Sequence, residues 1–411
     1  MNILVIGNGF DIEHGIPSSY KNFLDFIRAY RIVYEYRDSL DVLYENNFQY
    51  ELCKISSKYK NPSLLLQKMQ ESKSIEREFG DVVSNNCWVK YFFDRTSRLE
   101  GKYNWVDFEA EILYAVQMLS ENRDSITGIS FAEREIEILK NNRRDKNLLS
   151  YVMNRLLEKK PGQLVKKQEQ IKYWQKMKAL LLEDFSYIIR ALEIYLDYFI
   201  DFEKVKEDHE LQGKESCIFT GIKFDRLITF NYTDTYSILY DSDIYKDFIH
   251  GKADFGRDNE ESNMVLGIEE FLPEGQKNKD IEFIAYRKYY QRIVKRCDFS
   301  YRNYLEKQGG RSVTWIFGHS LAVSDKDVLI KLLPCSDFAH NPDGRFLDYI
   351  QKSYICYYDK QALEQQVANM VQILGQDALN DLVCGANPKI KFVHQKDFRK
   401  ELMLSIGSKK N

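Results

Sequence analysis

An α/β fold with a parallel sheet and helices on both faces is what this sequence predicts, and three observations predict it. The chain opens on an apolar run, Asn2-Ile-Leu-Val-Ile-Gly7, that ends in glycine. After Asp225, short runs of β-branched and aromatic residues return at intervals, with a strongly helical stretch between the last two. Four of these runs lead directly into a polar loop, three of the loops carrying glycine, and open parallel sheets bind ligands at such strand ends.

Residues 2–7 read as a buried strand, because an unbroken apolar run suits a strand covered on both faces. A loop follows over 8–17. Ser18 or Ser19 can then cap a helix whose apolar face is Tyr20, Phe23, Leu24, Ile27 and Tyr30. From about Arg28 to Glu215 strand signals fade, and segments of helical period rich in Lys, Glu and Gln take over. The clearest helix there runs from 171 to about 202. Further strands are expected at 225–230, 247–249, 263–267, 313–317, 354–358 and 390–394, with a helix over 361–375. The expected organisation is one nucleotide-binding domain built from residues 1–27 and 216–411, with a helical insertion over 28–215.

The 411 residues, 44% hydrophobic and 29% charged, can bury a sizeable core and are too apolar for disorder. A net charge of −3, from 59 basic and 62 acidic side chains, gives no general attraction to nucleic acid or to an acidic membrane surface. The cysteines Cys53, Cys87, Cys217, Cys297, Cys335, Cys356 and Cys384 are scattered and never form a CxxC pair. That argues against a disulfide scaffold and a four-cysteine zinc site, and it suits a reducing cytoplasm. The start of the chain lacks the basic and apolar regions of a secretory signal. The longest apolar stretch, 185–200, contains Arg190, Glu193 and Asp197, so a core helix is expected there and not a membrane span.

Four constellations could carry chemistry. Gly7-Asn-Gly-Phe-Asp11, with Gly15-Ile-Pro17, follows the first strand; glycines let a backbone approach a pyrophosphate, and Asp11 could bond a ribose hydroxyl. A plain strand-to-helix turn needs the same glycines. Thr229-Phe-Asn231-Tyr-Thr-Asp234 places an Asn at a strand end, where it can orient a water or a ribose hydroxyl or simply close a turn. Ile249-His250-Gly251 puts a histidine, the natural general base near neutral pH, at another strand end. Phe317-Gly318-His-Ser-Leu321, with Ser324-Asp325 behind it, is a loop suited to adenosine or phosphate. Each alone has a structural explanation. Together, one sheet would bring all four to one edge, as a nucleotide site requires.

These residues resemble a known set. Gly7-Asn-Gly-Phe-Asp-Ile-Glu-His-Gly-Ile-Pro17 matches in length the sirtuin (Sir2) loop GAGxSxxxGIP. Thr229-Phe-Asn231 resembles the sirtuin TQN, Ile249-His250-Gly251 its catalytic histidine-glycine, and Gly318-His-Ser-Leu-Ala-Val323 its GTSLxV, in the same order. This resemblance covers about 30 to 40 residues. Over most of its length the chain resembles the bacterial AbiH family of phage abortive-infection proteins. The shared marks are GNGFD-x-x-HG-x-P followed by S/T-S-Y, then FNYT before an HG, and FGHSL further on. Three departures from sirtuins stand out: no zinc-ribbon cysteines, N-Y-T-D after the Asn, and Asp11 where sirtuins have serine. They turn the resemblance away from protein deacetylation and towards Sir2-like defence proteins that hydrolyse NAD.

The resemblance implies an α/β Rossmann-like Sir2-type parallel sheet and NAD+ as substrate, cleaved to ADP-ribose and nicotinamide without a metal. It implies that Gly7, Asn8, Gly9, Phe10, Asp11, Gly15 and Pro17 hold the pyrophosphate and the nicotinamide ribose. Thr229 and Asp234 would complete the site around Asn231, which positions water or ribose hydroxyls, while His250 takes a proton. Gly318, His319 and Ser320 would bind the adenosine half. Two other readings stay open: a module that senses NAD or an ADP-ribose derivative and acts through a partner, and a toxin directed at RNA or another nucleotide.

The stretch 140–178, with twelve Lys or Arg against three Asp or Glu, reads as a solvated helical face, with nucleic acid as the less favoured alternative. Trp105, Asp107, Glu109 and Glu111 form a compact acidic cluster, for which surface placement is expected over metal binding. Tyr286-Arg-Lys-Tyr-Tyr-Gln-Arg292 could line the nucleotide cleft or serve only helix packing. His340 and His394 have no metal-like spacing. The insertion is the expected place for oligomerisation or partner sensing.

Overall fold

The six strands are β1 (Asn2–Ile6), β2 (Arg226–Thr229), β3 (Lys246–Phe248), β4 (Ser312–Phe317), β5 (Ile350–Tyr357) and β6 (Ile390–His394). In the computed structural model, which describes residues 1–45, 62–99, 107–121, 123, 148, 151–152, 155, 167–211, 218–258, 261–273, 275–276, 279–297, 299–308, 312–334 and 350–407, they form one parallel sheet. Its order is β3-β2-β1-β4-β5-β6. This is an α/β Rossmann-like arrangement. The chain winds outward from β1 to β2 and β3 and then crosses to β4 on the other side, so the direction of winding reverses between β1 and β4.

The apolar run of β1 is unbroken because both faces of the sheet are covered. Ile3 and Val5 join a core with Ile228, Ile316, Ile355 and the helix residues Leu329 and Met370. Leu4 and Ile6 join an opposite core with Leu227, Trp315, Phe317 and Phe398. Each such side chain contributes roughly 1.5–3 kcal/mol by leaving water.

Register decides what meets at the sheet's carboxyl edge. Ile6 pairs with Thr229 on one side and Phe317 on the other, and Thr229 pairs with Phe248. The next residues, Gly7, Phe230, Ile249 and Gly318, therefore emerge in one row. The first and fourth loops of that row pack at backbone contact. Gly318 has φ +66°, and a Cβ there would lie 2.2 Å from the amide nitrogen of Phe10. Gly9 donates its N–H to Gly318 O at 2.8 Å.

Residues 263–267 differ from the expected strand. The segment is buried at Met264, Val265 and Leu266 but pairs with no strand. It runs beside the His250 turn, where Val265 N–H bonds His250 O, and side chains satisfy other backbone oxygens: Tyr232 Oη bonds Val265 O, and Gln291 Nε2 bonds Leu266 O. The apolar run was buried by helices and loops instead of by a ladder. Gly251, at φ +77°, makes this possible: a Cβ there would sit 2.0 Å from Asn263 O.

A third core is built mainly by the helices between β1 and β2, with Met264, Leu266, Ile268, Phe283 and Tyr286 from the segment after β3 packed into it. Ser19, not Ser18, caps the helix Tyr20–Glu35 by accepting the Asn22 N–H. That helix runs unbroken through residue 27 and buries Phe23, Leu24, Phe26, Ile27, Ala29, Tyr30 and Val33. The long helix Lys167–Ile194 passes into a π-turn, Tyr195–Phe199, and stops before Phe202, earlier than expected. The widened turn aims Tyr195 at Pro17 O, at 2.7 Å, and Asp197 at Phe255 N, at 3.0 Å, which ties this helix to two loops at the sheet edge. The apolar stretch 185–200 is core, as its charges indicated. Among the described residues no helix is long and apolar enough to cross a membrane.

Gly318→Ala is expected to destabilise the protein by about 2 kcal/mol or more, because alanine adds both a left-handed backbone and an overlap with residue 10. Urea denaturation measures it, and a wild-type midpoint would mean that the two loops do not meet this closely.

Candidate functional site

A cavity of about 260 Å³ lies over the row of strand ends, on the β1/β4 crossing point. The four constellations do meet: Gly7, Asn8, Gly9 and Asp11 from the first, Asn231 from the second, His250 from the third, and Gly318, His319 and Ser320 from the fourth all line it. Five expected site residues do not. Phe10 is packed in the sheet core, and Thr229 is fully buried, accepting the Asn231 N–H at 3.0 Å. Gly15 forms the turn after the 8–13 helix, and Pro17 O is taken by Tyr195. Asp234 is held by Lys246 at 2.8 Å and Lys252 at 3.1 Å, and these two outweigh its burial to keep its pKa low. The N–H groups of Gly7 and Gly9 bond Phe317 O and Gly318 O, so these glycines serve the contact between loops.

The floor of the cavity is a charge cluster in which His250, His319 and Asp325 of the third and fourth constellations meet Lys288 and Glu109 from outside them. Asp325 ends the short helical turn Val323–Asp325 after β4. Its Oδ1 accepts from His250 Nε2 and from Lys288 Nζ, both at 3.0 Å, and His319 Nε2 faces Oδ2 at 3.7 Å. Burial opposes the charge on Asp325, but Lys288, then His250, hold it well below the usual carboxylate range. An ionised carboxylate only accepts, so His250 carries its proton on Nε2 and keeps a lone pair on Nδ1. Burial pushes the His250 pKa down, with Asp325 opposing, and pushes His319 down to about 4. Both rings are therefore neutral at pH 7. His319 Nδ1 accepts the N–H of Leu321, a non-glycine residue at φ +57°, so a strained turn sets the direction of this ring.

Lys288 begins the helix Lys288–Val294, and its side chain is 3% exposed. Its three N–H bonds are all directed, to Asp325 Oδ1, to Ser324 Oγ at 3.0 Å and to Glu109 Oε2 at 2.8 Å. Ser324 in turn donates to Glu109 Oε2 at 2.9 Å. Burial works against the ammonium, yet Asp325 and Glu109 raise its pKa above the lysine norm.

Surface placement of the acidic cluster is thus corrected. Asp107 caps the helix Phe108–Glu121 through the N–H groups of Glu109 and Ala110, which turns Glu109 into the cavity. Glu111 pairs with Arg95 at 2.7 Å and Tyr91 at 3.0 Å; Trp105 lies outside the described residues. Of the 286–292 segment, Lys288 does line the cleft. The sequence signals for these partners were Asp325 close behind the fourth constellation, the aromatic and basic segment 286–292, and an acidic residue in a capped first turn.

The remaining wall is short of partners. Asp11 is 1% exposed; its Oδ2 accepts from Thr233 Oγ1 at 2.6 Å, while its Oδ1 has no partner. Asn231 Nδ2 is likewise buried without one. Burial raises the Asp11 pKa, with Thr233 opposing most. A second cavity of about 720 Å³ adjoins the first, shares Gly9, Gly318, His319 and Ser320 with it, and extends over the ends of β4 and β5. Among the described residues no group of His, Cys, Asp or Glu could hold a metal ion. The described cysteines Cys87, Cys297, Cys356 and Cys384 form no disulfide, and Cys53, Cys217, Cys335, His340 and most of 140–178 lie outside the described residues.

Sheet and cavity together define an α/β protein of Rossmann-like type with a buried polar pocket at the switch point of its strands. A model of the family described as bacteriophage abortive infection AbiH matches residues 3–339. The chain belongs to that family, which implies a part in abortive infection by phage-exposed bacteria. No curated protein and no solved structure matches it.

The buried neutral histidine sets a pH dependence. His319 has a folded pKa of about 4 against about 6.5 when unfolded, so its contribution is fully present above pH 6.5 and is lost as pH falls towards 4. Stability is expected to drop over that window by up to about 1.4 kcal/mol per pH unit from this group. His319→Gln should flatten the decline, and denaturation midpoints at pH 7, 5.5 and 4 measure it. Parallel declines in both proteins would show that His319 is protonated alike in both states.

Proposed function

We propose that this protein acts in abortive infection as an NAD+ glycohydrolase, releasing nicotinamide and ADP-ribose. One observation carries the reading: Asp11 Oδ1 and Asn231 Nδ2, a buried acceptor and a buried donor that lie beside each other without forming a well-aligned hydrogen bond, line the same cavity as His250. Leaving either unsatisfied costs on the order of 1–3 kcal/mol. The vicinal hydroxyls of a ribose both donate and accept, so they satisfy the pair.

The charges favour the same substrate. The carboxyl groups of Asp11, Asp107, Glu109 and Asp325 line the cavity with one ammonium, Lys288, which is paired to the last two, so the acidic lining left over suits the cationic nicotinamide ring and the positive charge that passes to the ribose. In the reaction, the bond from ribose C1′ to the ring nitrogen breaks and its electron pair neutralises the ring. Nicotinamide leaves uncharged, and an oxocarbenium-like centre remains. Asn231 holds the ribose hydroxyls, water attacks C1′, and Nδ1 of His250 takes the water's proton. The sum is NAD+ plus water to ADP-ribose, nicotinamide and a proton. The Gly318–Ser320 loop and the second cavity offer room for the adenosine half. Activity silent until infection fits control through the helical layer, by oligomerisation or a partner protein.

Purified protein incubated with NAD+ is expected to release nicotinamide and ADP-ribose. His250→Ala or Asn231→Ala should each lower turnover at least about a hundredfold while the circular dichroism spectrum stays native. Wild-type rates in both variants would remove the mechanism. NAD+ bound but uncleaved by the wild type, measured by calorimetry, would leave two readings, a sensor or an enzyme whose activating partner is absent.

A further inference from the structure

The geometry points to Lys288 and Glu109 as positioning residues of the site: Glu109, delivered by the helical layer, locks Lys288 onto the same Asp325 oxygen that holds Nε2 of His250, so docking of that layer sets the imidazole. This inference rests on the reading of His250 as the base. Neither Lys288 nor Glu109 belongs to the strand-end constellations, and neither is free to take a ligand, because each is committed to the other. Lys288 uses all three donors on Asp325, Ser324 and Glu109. Glu109 Oε2 accepts from both Lys288 and Ser324.

The chain of contacts runs Glu109–Lys288–Asp325–His250, and its links come from four separate parts of the sequence. Glu109 sits in the first turn of Phe108–Glu121, a helix whose Phe108, Ile112, Ala115, Val116 and Leu119 are buried in the helical core. Lys288 opens a helix whose entry is pinned by Lys288 N–H on Ile268 O at 3.0 Å. Asp325 follows β4, and His250 follows β3. Withdrawal of the helical layer would leave a buried ammonium with one carboxylate fewer. Lys288 would then turn outward to water, and Asp325 would lose the cation that keeps it aimed at His250. The helical layer thereby controls a site on the sheet without contributing a group that touches the substrate's reacting bond.

Other charged and titratable groups face this pair. Glu269 and Tyr232 lie near Lys288, while Arg292 and His319 act on the His250–Asp325 side. None of them makes a hydrogen bond to Asp325 Oδ1, so Lys288 is the cation that shares that oxygen with His250.

The test uses the full chain labelled with ¹⁵N-histidine, with the His250 signal assigned by its loss in His250→Ala. The wild type should show one tautomer, protonated at Nε2. In Lys288→Met and Glu109→Gln the two ring-nitrogen shifts of His250 should converge towards a tautomer average, and Lys288→Arg should restore part of the separation. In parallel, NAD+ turnover should show kcat down about 10- to 100-fold with KM little changed, a fraction of what a general base supplies. The acid limb of the kcat profile should move to higher pH in Lys288→Met, because Lys288 depresses the His250 pKa and its loss raises it. A merely structural role would lower the melting temperature without moving the tautomer or the acid limb. An unchanged tautomer in folded Lys288→Met overturns the inference. If Lys288→Met does not fold, Glu109→Gln decides alone, since it changes charge at nearly constant shape. A tautomer shift in a protein that never cleaves NAD+ would uphold the positioning and sink the glycohydrolase instead.

Discussion

The carboxylate of Asp325 is the point through which the separate parts of this structure are joined. It is 4% exposed, and an isolated carboxylate so deeply buried would be protonated or would drag water in. It stays ionised because Lys288 and His250 share one of its oxygens. Such a pair is a weak source of net stability but a strong source of specificity, since breaking it leaves a buried charge uncompensated. The end of β3, the turn after β4, the Lys288 helix and the helical layer must therefore all be in place together.

That requirement explains why the loops at the sheet edge are packed so closely. The first and fourth loops touch through Gly9 and Gly318, and the turn after β3 rests on Asn263 through Gly251. These contacts leave almost no freedom in the backbone carrying Asp11, His250 and His319. The glycines long associated with phosphate loops here serve backbone-to-backbone contact, and the polar work passes to side chains. Rigid placement of this kind is what a site needs when its groups act through orientation.

The helical layer is more than a cover. Through Glu109 it reaches the floor of the cavity, and through Tyr195, Asp197 and Glu193 it holds residue 17 and the backbone of residues 254–255. A site whose ion pairs are completed by a second layer is open to control through that layer.

Local chemistry was enough for much of this. Short runs of β-branched and aromatic residues marked β1, β2, β3, β4 and β6 closely, and in β1 and β4 the run is largely apolar, because those strands are buried on both faces, and leads into glycine. The four loops that follow could be picked out for the same reason, and Asn231, His250 and Asp11 with them. The run at 263–267 was misread because burial by helices demands the same residues as burial in a ladder. The roles of Glu109 and Asp325, and which residue of 286–292 enters the cleft, lay beyond reach of the sequence. An acidic residue in a capped helical turn reads as surface whenever its partner is distant in the chain, and only the packing of the helices onto the sheet decides that Glu109 meets Lys288. What the sequence by itself determined was which segments are strands and which side chains stand at their ends. Tertiary structure alone decided the order of those strands and the ion pairs beneath the cavity, because both depend on contacts between residues far apart in the chain.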